Sequence, residues 1–433
     1  MIFTNYNINY LNLLKITISF LLVGILAKSI SKTPSVLLEI ALLGSLLFFS
    51  LIYSAQKFKI KKIPTIILIF FLLYLFIHTL TATLIRPFII DLPFYDILLY
   101  NLLEFRLSTI SYFLPLIFIP LSSMNITKFE NFLIIILKLS IIYTILEQIL
   151  SLGGFRQFFE YFYSNAGIVS PNQIGVKSLG MYRVWGVVGF PQLLGVFHAF
   201  GIFYMLYKHE KLWTLLSLVA LIFSTSKTAY LILMLMSLLY LLYKKQYAIL
   251  LLTLVLLSIL SLISFNFYFY LQDNLSDNFP HFQKFMGSIV GFFILIFYVA
   301  EESAPLRFIE GGPLFQLLTY FSENPLEIIF GKGLTYSYIS SGIAETELSK
   351  YQYLTSDFYI LTFFEQYGLF GITLITYIFL IYPLFALLKN KSVLYFVPII
   401  FFLSMFHYPP HIPKLMMVFA SYPIYKLYFY ENK

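Results

Sequence analysis

The sequence predicts an all-α polytopic integral membrane protein, and three observations carry that prediction. Of its 433 residues, 60% are hydrophobic and only 11% are charged, with a mean hydropathy of +0.86. Soluble globular domains carry about 25% charged residues. Apolar runs long enough to cross a bilayer recur along the whole chain, and lysines collect in the short connections between them, the pattern that positions membrane helices.

A spanning helix needs about 20 mostly apolar residues. Segments near 10–27, 34–55, 63–85, 107–121, 129–151, 186–207, 211–225, 227–243, 246–268, 357–385, 392–407 and 414–429 meet the hydropathy criterion, which predicts about twelve transmembrane helices. The first is read as a retained helix, because only Lys15 precedes "ITISFLLVGILA" and a second span follows at once. A thirteenth run, "GSIVGFFILIFYV" at 287–299, is short for a span and suits an interfacial or re-entrant helix. The chain 1–433 reads as one membrane domain.

Lysine sets the expected orientation. The densest cluster, "QKFKIKK" at 56–62, is assigned to the cytoplasmic face. Alternation then places Lys128, Lys208, Lys211, Lys244, Lys245, Lys389, Lys391, Lys426 and Lys433 on that face, with both termini. Lys28 and Lys32 disturb one short outer connection. Two long connections fall outside, 152–185 and 269–356, and loops as long as the second usually have a function. The net charge of +8 comes from scattered loop lysines, so no basic face for nucleic acid exists. Without cysteine there is no disulfide, thiol nucleophile or cysteine-bound metal.

The arginines behave differently from the lysines. All five (Arg86, Arg106, Arg156, Arg183 and Arg307) fall on the outer side or its rim. Arginine offers a planar, permanently charged fork suited to phosphate oxygens. The plainer alternative is that long loops escape the charge rule and these are ordinary salt-bridge partners, Arg156 above all.

Three stretches at the outer boundary hold the candidate chemistry. In "YRVWGVVGFPQLLG", Gly186, Gly189 and Pro191 loosen the start of a span beside Arg183. A loosened helix start offers unpaired N–H groups and a favourable dipole to an anion. A snorkelling arginine beside packing glycines has the same appearance. In "LIFSTSKTAYLIL", Ser224, Thr225 and Ser226 end one span and cap the next, leaving Lys227 at the turn as a ligand or an interface anchor. In "ENPLEIIFGKGLTYSY" and "YLTSDFYILTFFEQYGLFGITL", a glycine turn is followed by Asp357 at the membrane re-entry, where Ser356 or Asp357 also suits an N-cap. Gly368 and Gly371 lie about three turns further on.

In these residues the chain resembles the O-antigen polymerase and O-antigen ligase superfamily of bacterial envelope proteins. "RVWGVVGFPQLLG" is similar to an Arg-x-x-Gly…Pro-Asn-x-x-Gly segment, with Gln192 in place of Asn. "STSKTAY" is similar to a Ser-Arg-Gly/Thr-Ala turn, with Lys227 for Arg. "LRFIEGG…ENPLEIIFGKG" resembles an outer-loop arginine and the turn after it, and "SDFYILTFFEQYGLFG" the segment following the loop. Together these cover roughly residues 180–375. Ligases carry a histidine near the start of the last segment. Here Asp357 stands there, which favours the polymerase branch.

The resemblance implies a membrane-embedded glycosyltransferase of C-type (GT-C-like) architecture in the bacterial inner membrane. Its substrate would be an undecaprenyl-diphosphate-linked oligosaccharide, with a chain-length regulator protein as a further partner. On that reading Arg183 and Arg307 hold the diphosphate, with Lys227 third and Arg86 and Arg106 lining the lipid entrance. Gly189 and Gln192 belong to the same binding segment. Asp357 is the expected general base and Glu345 or Glu347 the reserve, since the attacking hydroxyl needs a carboxylate or imidazole within reach. No Asp-x-Asp pair or His–carboxylate cluster has metal-ligand spacing, so neither metal nor cofactor is expected. The alternatives are a ligase transferring glycan to lipid A-core, and a lipid-linked oligosaccharide flippase. A flippase expects charges near the midplane, for which Lys138, Glu39 and His78 are the candidates.

Overall fold

Helices dominate the computed structural model of the chain, which describes residues 2–57, 63–84, 109–124, 126–165, 177–178, 181–256, 325–331, 359–389, 391–406, 409–410 and 413–430. The N-terminal part comprises α1 (Ile2–Leu22), α2 (Gly24–Ile30), α3 (Lys32–Lys57), α4 (Ile63–Leu84), α5 (Ile110–Ser123), α6 (Ile126–Leu150) and α7 (Arg156–Asn165). A two-stranded hairpin follows, β1 (Lys177–Ser178) paired antiparallel with β2 (Met181–Tyr182). Next come α8 (Pro191–Tyr207), α9 (Lys211–Phe223), α10 (Lys227–Tyr243) and α11 (Tyr247–Leu256). The C-terminal part holds α12 (Pro325–Phe330), α13 (Tyr359–Thr376), α14 (Tyr382–Leu388), α15 (Phe396–Ser404) and α16 (Lys414–Tyr425).

All twelve apolar segments read from the sequence contain helix, but among the described residues few have full spanning length. Among the described residues four runs are long and apolar enough to cross a membrane: Lys32–Ser54, Ile63–Thr81, Ile126–Asn165 and Tyr359–Leu388. A fifth exists if α1 and α2, bent by 63° at Val23, count as one. Most others are shorter: the 13 residues of α9 rise only about 20 Å, against a hydrocarbon core of about 30 Å. The segment from Leu114 to Ser123 winds as a 3₁₀ helix around Pro115 and Pro120, because each proline removes a backbone donor. The architecture is therefore that of an all-α membrane protein.

Among the described residues, Lys208, Lys244 and Lys426 lie at one end of the bundle. Glu130, early in α6, accepts Lys426 Nζ at 3.0 Å and the hydroxyls of Tyr422 at 2.8 Å and Tyr207 at 3.1 Å, and its second oxygen accepts Lys208 Nζ. Thr65, early in α4, donates to the Tyr428 carbonyl at 2.7 Å. Phe203 of α8 stacks on Phe396 of α15 at 4.4 Å, and Tyr243, next to Lys244, meets the same ring at 6.1 Å. The start of α4, the start of α6, the end of α8, the end of α10, the start of α15 and the end of α16 thus lie together.

Among the residues expected in the outer connection 152–185, two stretches have regular structure. The helix of α6 runs on through a π turn (Ser151–Phe155) into α7, with Gly154 at φ 97° marking the break. Of α7, Arg156, Phe159 and Tyr163 face inward, while Phe158 and Tyr161 are exposed. The expected span at 186–207 begins as helix only at Pro191. Lys28, in the short connection expected outside, is paired with Glu39 at 2.9 Å.

Candidate functional site

The end of the bundle opposite the lysines gathers two of the three candidate stretches. Between β2 and α8 the chain makes a 3₁₀ turn (Gly186–Val188), and Gly189 follows at φ 81°. Pro191 then occupies the first position of α8, with Phe190 as an N-cap that supplies no side-chain acceptor. The first N–H groups of a helix have no intrahelical acceptor, and no side chain caps these. Arg183 stands just ahead, half-buried. Among the described residues no carboxylate pairs with its guanidinium.

The α9–α10 turn folds directly onto this helix start. Ser226 Oγ donates to the carbonyl of Gln192 at 3.2 Å and accepts from Ala229 N at 3.2 Å, so one hydroxyl caps α10 and ties it to α8. Thr225 takes φ 49° to make the turn. Gly195 permits the approach: a Cβ there would lie 2.5 Å from Ser224 Oγ and 2.8 Å from Ser226 Cβ. Lys227 is the first residue of α10. Gln192 and Gly195 of α8 and the Ser224–Lys227 turn therefore form one neighbourhood, joined from stretches that are distant in sequence, with Gly189 and Arg183 just ahead of α8 in the chain.

The turn that follows Arg183 is bound by a carboxylate that the sequence did not single out. Glu147, in the last turn of α6, is fully buried. One oxygen accepts Trp185 N at 3.0 Å; the other accepts Gly186 N at 2.9 Å and the Tyr163 hydroxyl at 2.6 Å. Trp185 is right-handed (φ −99°, ψ −30°) and Gly186 left-handed (φ 58°). That succession points consecutive N–H groups into one concavity, a nest for an anion. The donors expected to meet a diphosphate at this turn are thus already taken by Glu147, and those of the α8 start remain. A Cβ on Gly186 would also meet the Leu194 side chain at 2.5 Å.

Arg156 supports the same carboxylate. Its Nη1 lies 3.9 Å from Glu147 Oε1, its Nε 3.5 Å from Glu160 Oε1, and its guanidinium covers the Tyr182 ring at 5.1 Å. It is the salt-bridge partner that its sequence context allowed. A helical-spacing signal for the inward face of α6 was present in the sequence: Ser140, Thr144, Glu147, Gln148 and Ser151 are all buried, and recur at intervals of three and four residues.

The third stretch forms a separate junction. Gly331 (φ 78°) and Gly368 (φ 64°) face each other across α12 and α13. The Phe330 carbonyl accepts Tyr74 Oη at 2.8 Å and contacts His78 Nε2 at 2.6 Å. The start of α13 belongs to the Arg183 end: Ile360 N donates to Met405 O at 2.8 Å, past the end of α15, whose own start stacks on the far end of α8. Arg86, Arg106, Arg307, Glu345, Glu347 and Asp357 lie outside the described residues, as does the run 287–299. Among the described residues no group of three or more His, Asp or Glu is placed to hold a metal.

Set against models of known families, curated proteins and solved structures, the chain matches none.

Proposed function

We propose that this protein is a membrane-embedded glycosyltransferase that polymerises oligosaccharide repeats carried on undecaprenyl diphosphate, building an O-antigen or related surface polysaccharide. The reading includes a bacterial inner-membrane location, about twelve crossings in a GT-C-like arrangement, cytoplasmic termini and reaction at the periplasmic face. Its main support is Arg183, a half-buried cation without a carboxylate partner among the described residues, beside the side-chain-uncapped start of α8. The packing of the Ser224–Lys227 turn against Gln192 adds to it, since the two most motif-like stretches meet.

In the proposed reaction the terminal sugar hydroxyl of one lipid-linked repeat attacks the anomeric carbon of the growing glycan. The bond from that carbon to the lipid diphosphate breaks, and the hydroxyl proton passes to a base, for which Asp357 is proposed. Arg183 and Arg307 would offset the charge left on the diphosphate, with Lys227, Arg86, Arg106 and the Gly189–Gln192 segment holding the carrier. One guanidinium–phosphate contact at 4 Å is worth on the order of 4 kcal/mol at an effective dielectric near 20. The part of it gained only in the transition state accelerates the reaction.

One observation weighs against transport. The side chains a flippase would use are engaged: Glu39 with Lys28, Lys138 with Glu210, and His78 with the Phe330 carbonyl. The ligase alternative is disfavoured by Asp357 where ligases carry histidine. Electrophoresis of envelope polysaccharide from a deletion strain tests the choice. Loss of a polymerase leaves one repeat on its anchor, whereas loss of a ligase or flippase leaves none.

A further inference from the structure

We infer that Glu147 is the positioning residue of the Arg183 site: a buried carboxylate that fills the turn behind Arg183 and so fixes where its guanidinium stands. The inference rests on the reading of Arg183 as an anion holder. Arg183 is bracketed. Ahead of it, Tyr182 is covered by the Arg156 guanidinium at 5.1 Å. After it, the N–H groups of Trp185 and Gly186 are bound by the two oxygens of Glu147. Arg156 and Glu147 are themselves 3.9 Å apart, so both flanks of Arg183 are tied to one ion pair between α6 and α7.

The chemistry requires a carboxylate at 147. Two adjacent backbone donors need an acceptor at each of two oxygens, and the Tyr163 hydroxyl adds a third donor at 2.6 Å. A glutamine would turn an NH₂ toward one of those N–H groups and leave a buried donor facing a donor. It would also leave Arg156 near a neutral group, although Glu160 still offers the guanidinium a charge. The turn would then re-orient while α6 and α8 keep their apolar contacts. By contrast, Glu130 at the opposite end is bound by lysine and tyrosine side chains from α8 and α16 and touches no part of the candidate site.

The test uses the absence of cysteine in the chain. A single Arg183→Cys reporter in the full-length protein in membranes reports how accessible that position is to a charged maleimide. Introducing Glu147→Gln should change its labelling rate by about tenfold, with the protein still present at parental level. An unchanged rate overturns the inference. If Glu147→Gln fails to accumulate, Tyr163→Phe removes one donor while keeping the carboxylate; a shifted labelling rate then supports the inference and an unchanged one overturns it. Polymer formation is read separately in chains that retain Arg183. Glu147→Gln should lower it at least about tenfold, the scale on which misplacing a reacting group registers. Should Arg183→Lys leave polymer formation intact while the labelling shift persists, the anion-holding reading of Arg183 falls and the Glu147 clamp stands.

Discussion

Gly331 and Gly368 meet backbone to backbone, and neither has room for a side chain. A Cβ on Gly331 would stand 2.3 Å from the Gln366 carbonyl oxygen, and one on Gly368 2.4 Å from that of Ile329. Gly368 also holds φ 64° and ψ −173° inside α13, a conformation open essentially to glycine alone and costing another residue about 1–3 kcal/mol. This contact anchors residues 325–331, the described part of the large connection, to α13. Alanine at either position is expected to lower the thermal stability of the detergent-solubilised protein sharply. Gly44→Ala, where a Cβ meets nothing within 4 Å, is the control that should behave as the parent does.

At the lysine end, Glu130 is the single carboxylate bound by Lys208 and Lys426. Removing it leaves two cations close together in a poorly hydrated place, and breaking a buried pair by removing one partner costs about 3–5 kcal/mol. Glu130→Ala should therefore be among the least stable variants in a melting series. Lys208→Met should be milder, because Lys426 continues to neutralise the carboxylate.

Ser226 has two roles through one hydroxyl, the cap on α10 and the bond to Gln192. Ser226→Ala should cost about 0.5–2 kcal/mol, the range for a lost N-cap. Gly195→Val should cost more, since even a Cβ there lies 2.5 Å from Ser224 Oγ. If the Gln192 neighbourhood holds the carrier, both variants should also shorten the glycan chains made at equal protein level.

The sequence made the helices legible because the bilayer demands long apolar runs, and among the described residues Lys208, Lys244 and Lys426 sit at one end of the fold. The broken start of α8 and the Ser226 cap were readable from Gly186, Gly189, Pro191 and a serine–threonine triplet, whose local chemistry is specific. The clamp was not readable. Glu147 in "ILEQIL" looks like an interfacial acid at the end of a span; its spacing from Ser140 and Thr144 marks the inward face, but only folding shows the turn nearly forty residues ahead that it binds. Helix length also escaped the reading. Hydropathy cannot see where prolines such as Pro115 and Pro120 tighten a segment, or where a glycine such as Gly154 lets a helix restart within an expected loop.

The proposed role of Arg183 requires a fork and not merely a charge. Lysine keeps the positive charge but loses the paired, planar donors that match phosphate oxygens. Arg183→Lys should reduce polymer formation at least about tenfold, equivalent to about 1.4 kcal/mol of lost transition-state stabilisation, while protein level and melting temperature stay at parental values. Gel profiles of the extracted polysaccharide, normalised to membrane-bound protein, provide the measurement. Unchanged chain lengths would remove Arg183 from the site.

Orientation is the premise on which the periplasmic reaction depends, and single cysteines can test it because the chain has none of its own. His209 and Lys245 sit in turns at the lysine end, both at positive φ, whereas Thr225 and Arg183 belong to the opposite end. Positive-inside sorting places the first pair in the cytoplasm. Cysteine at 209 or 245 should then react in intact cells only with a membrane-permeant maleimide, and cysteine at 183 also with an impermeant one. Within the large connection, cysteine at 326, where Leu326 is exposed, should follow position 183. The reverse pattern would put Arg183 on the cytoplasmic side, away from the compartment in which lipid-linked repeats are proposed to be joined, and the polymerase reading would fail with it.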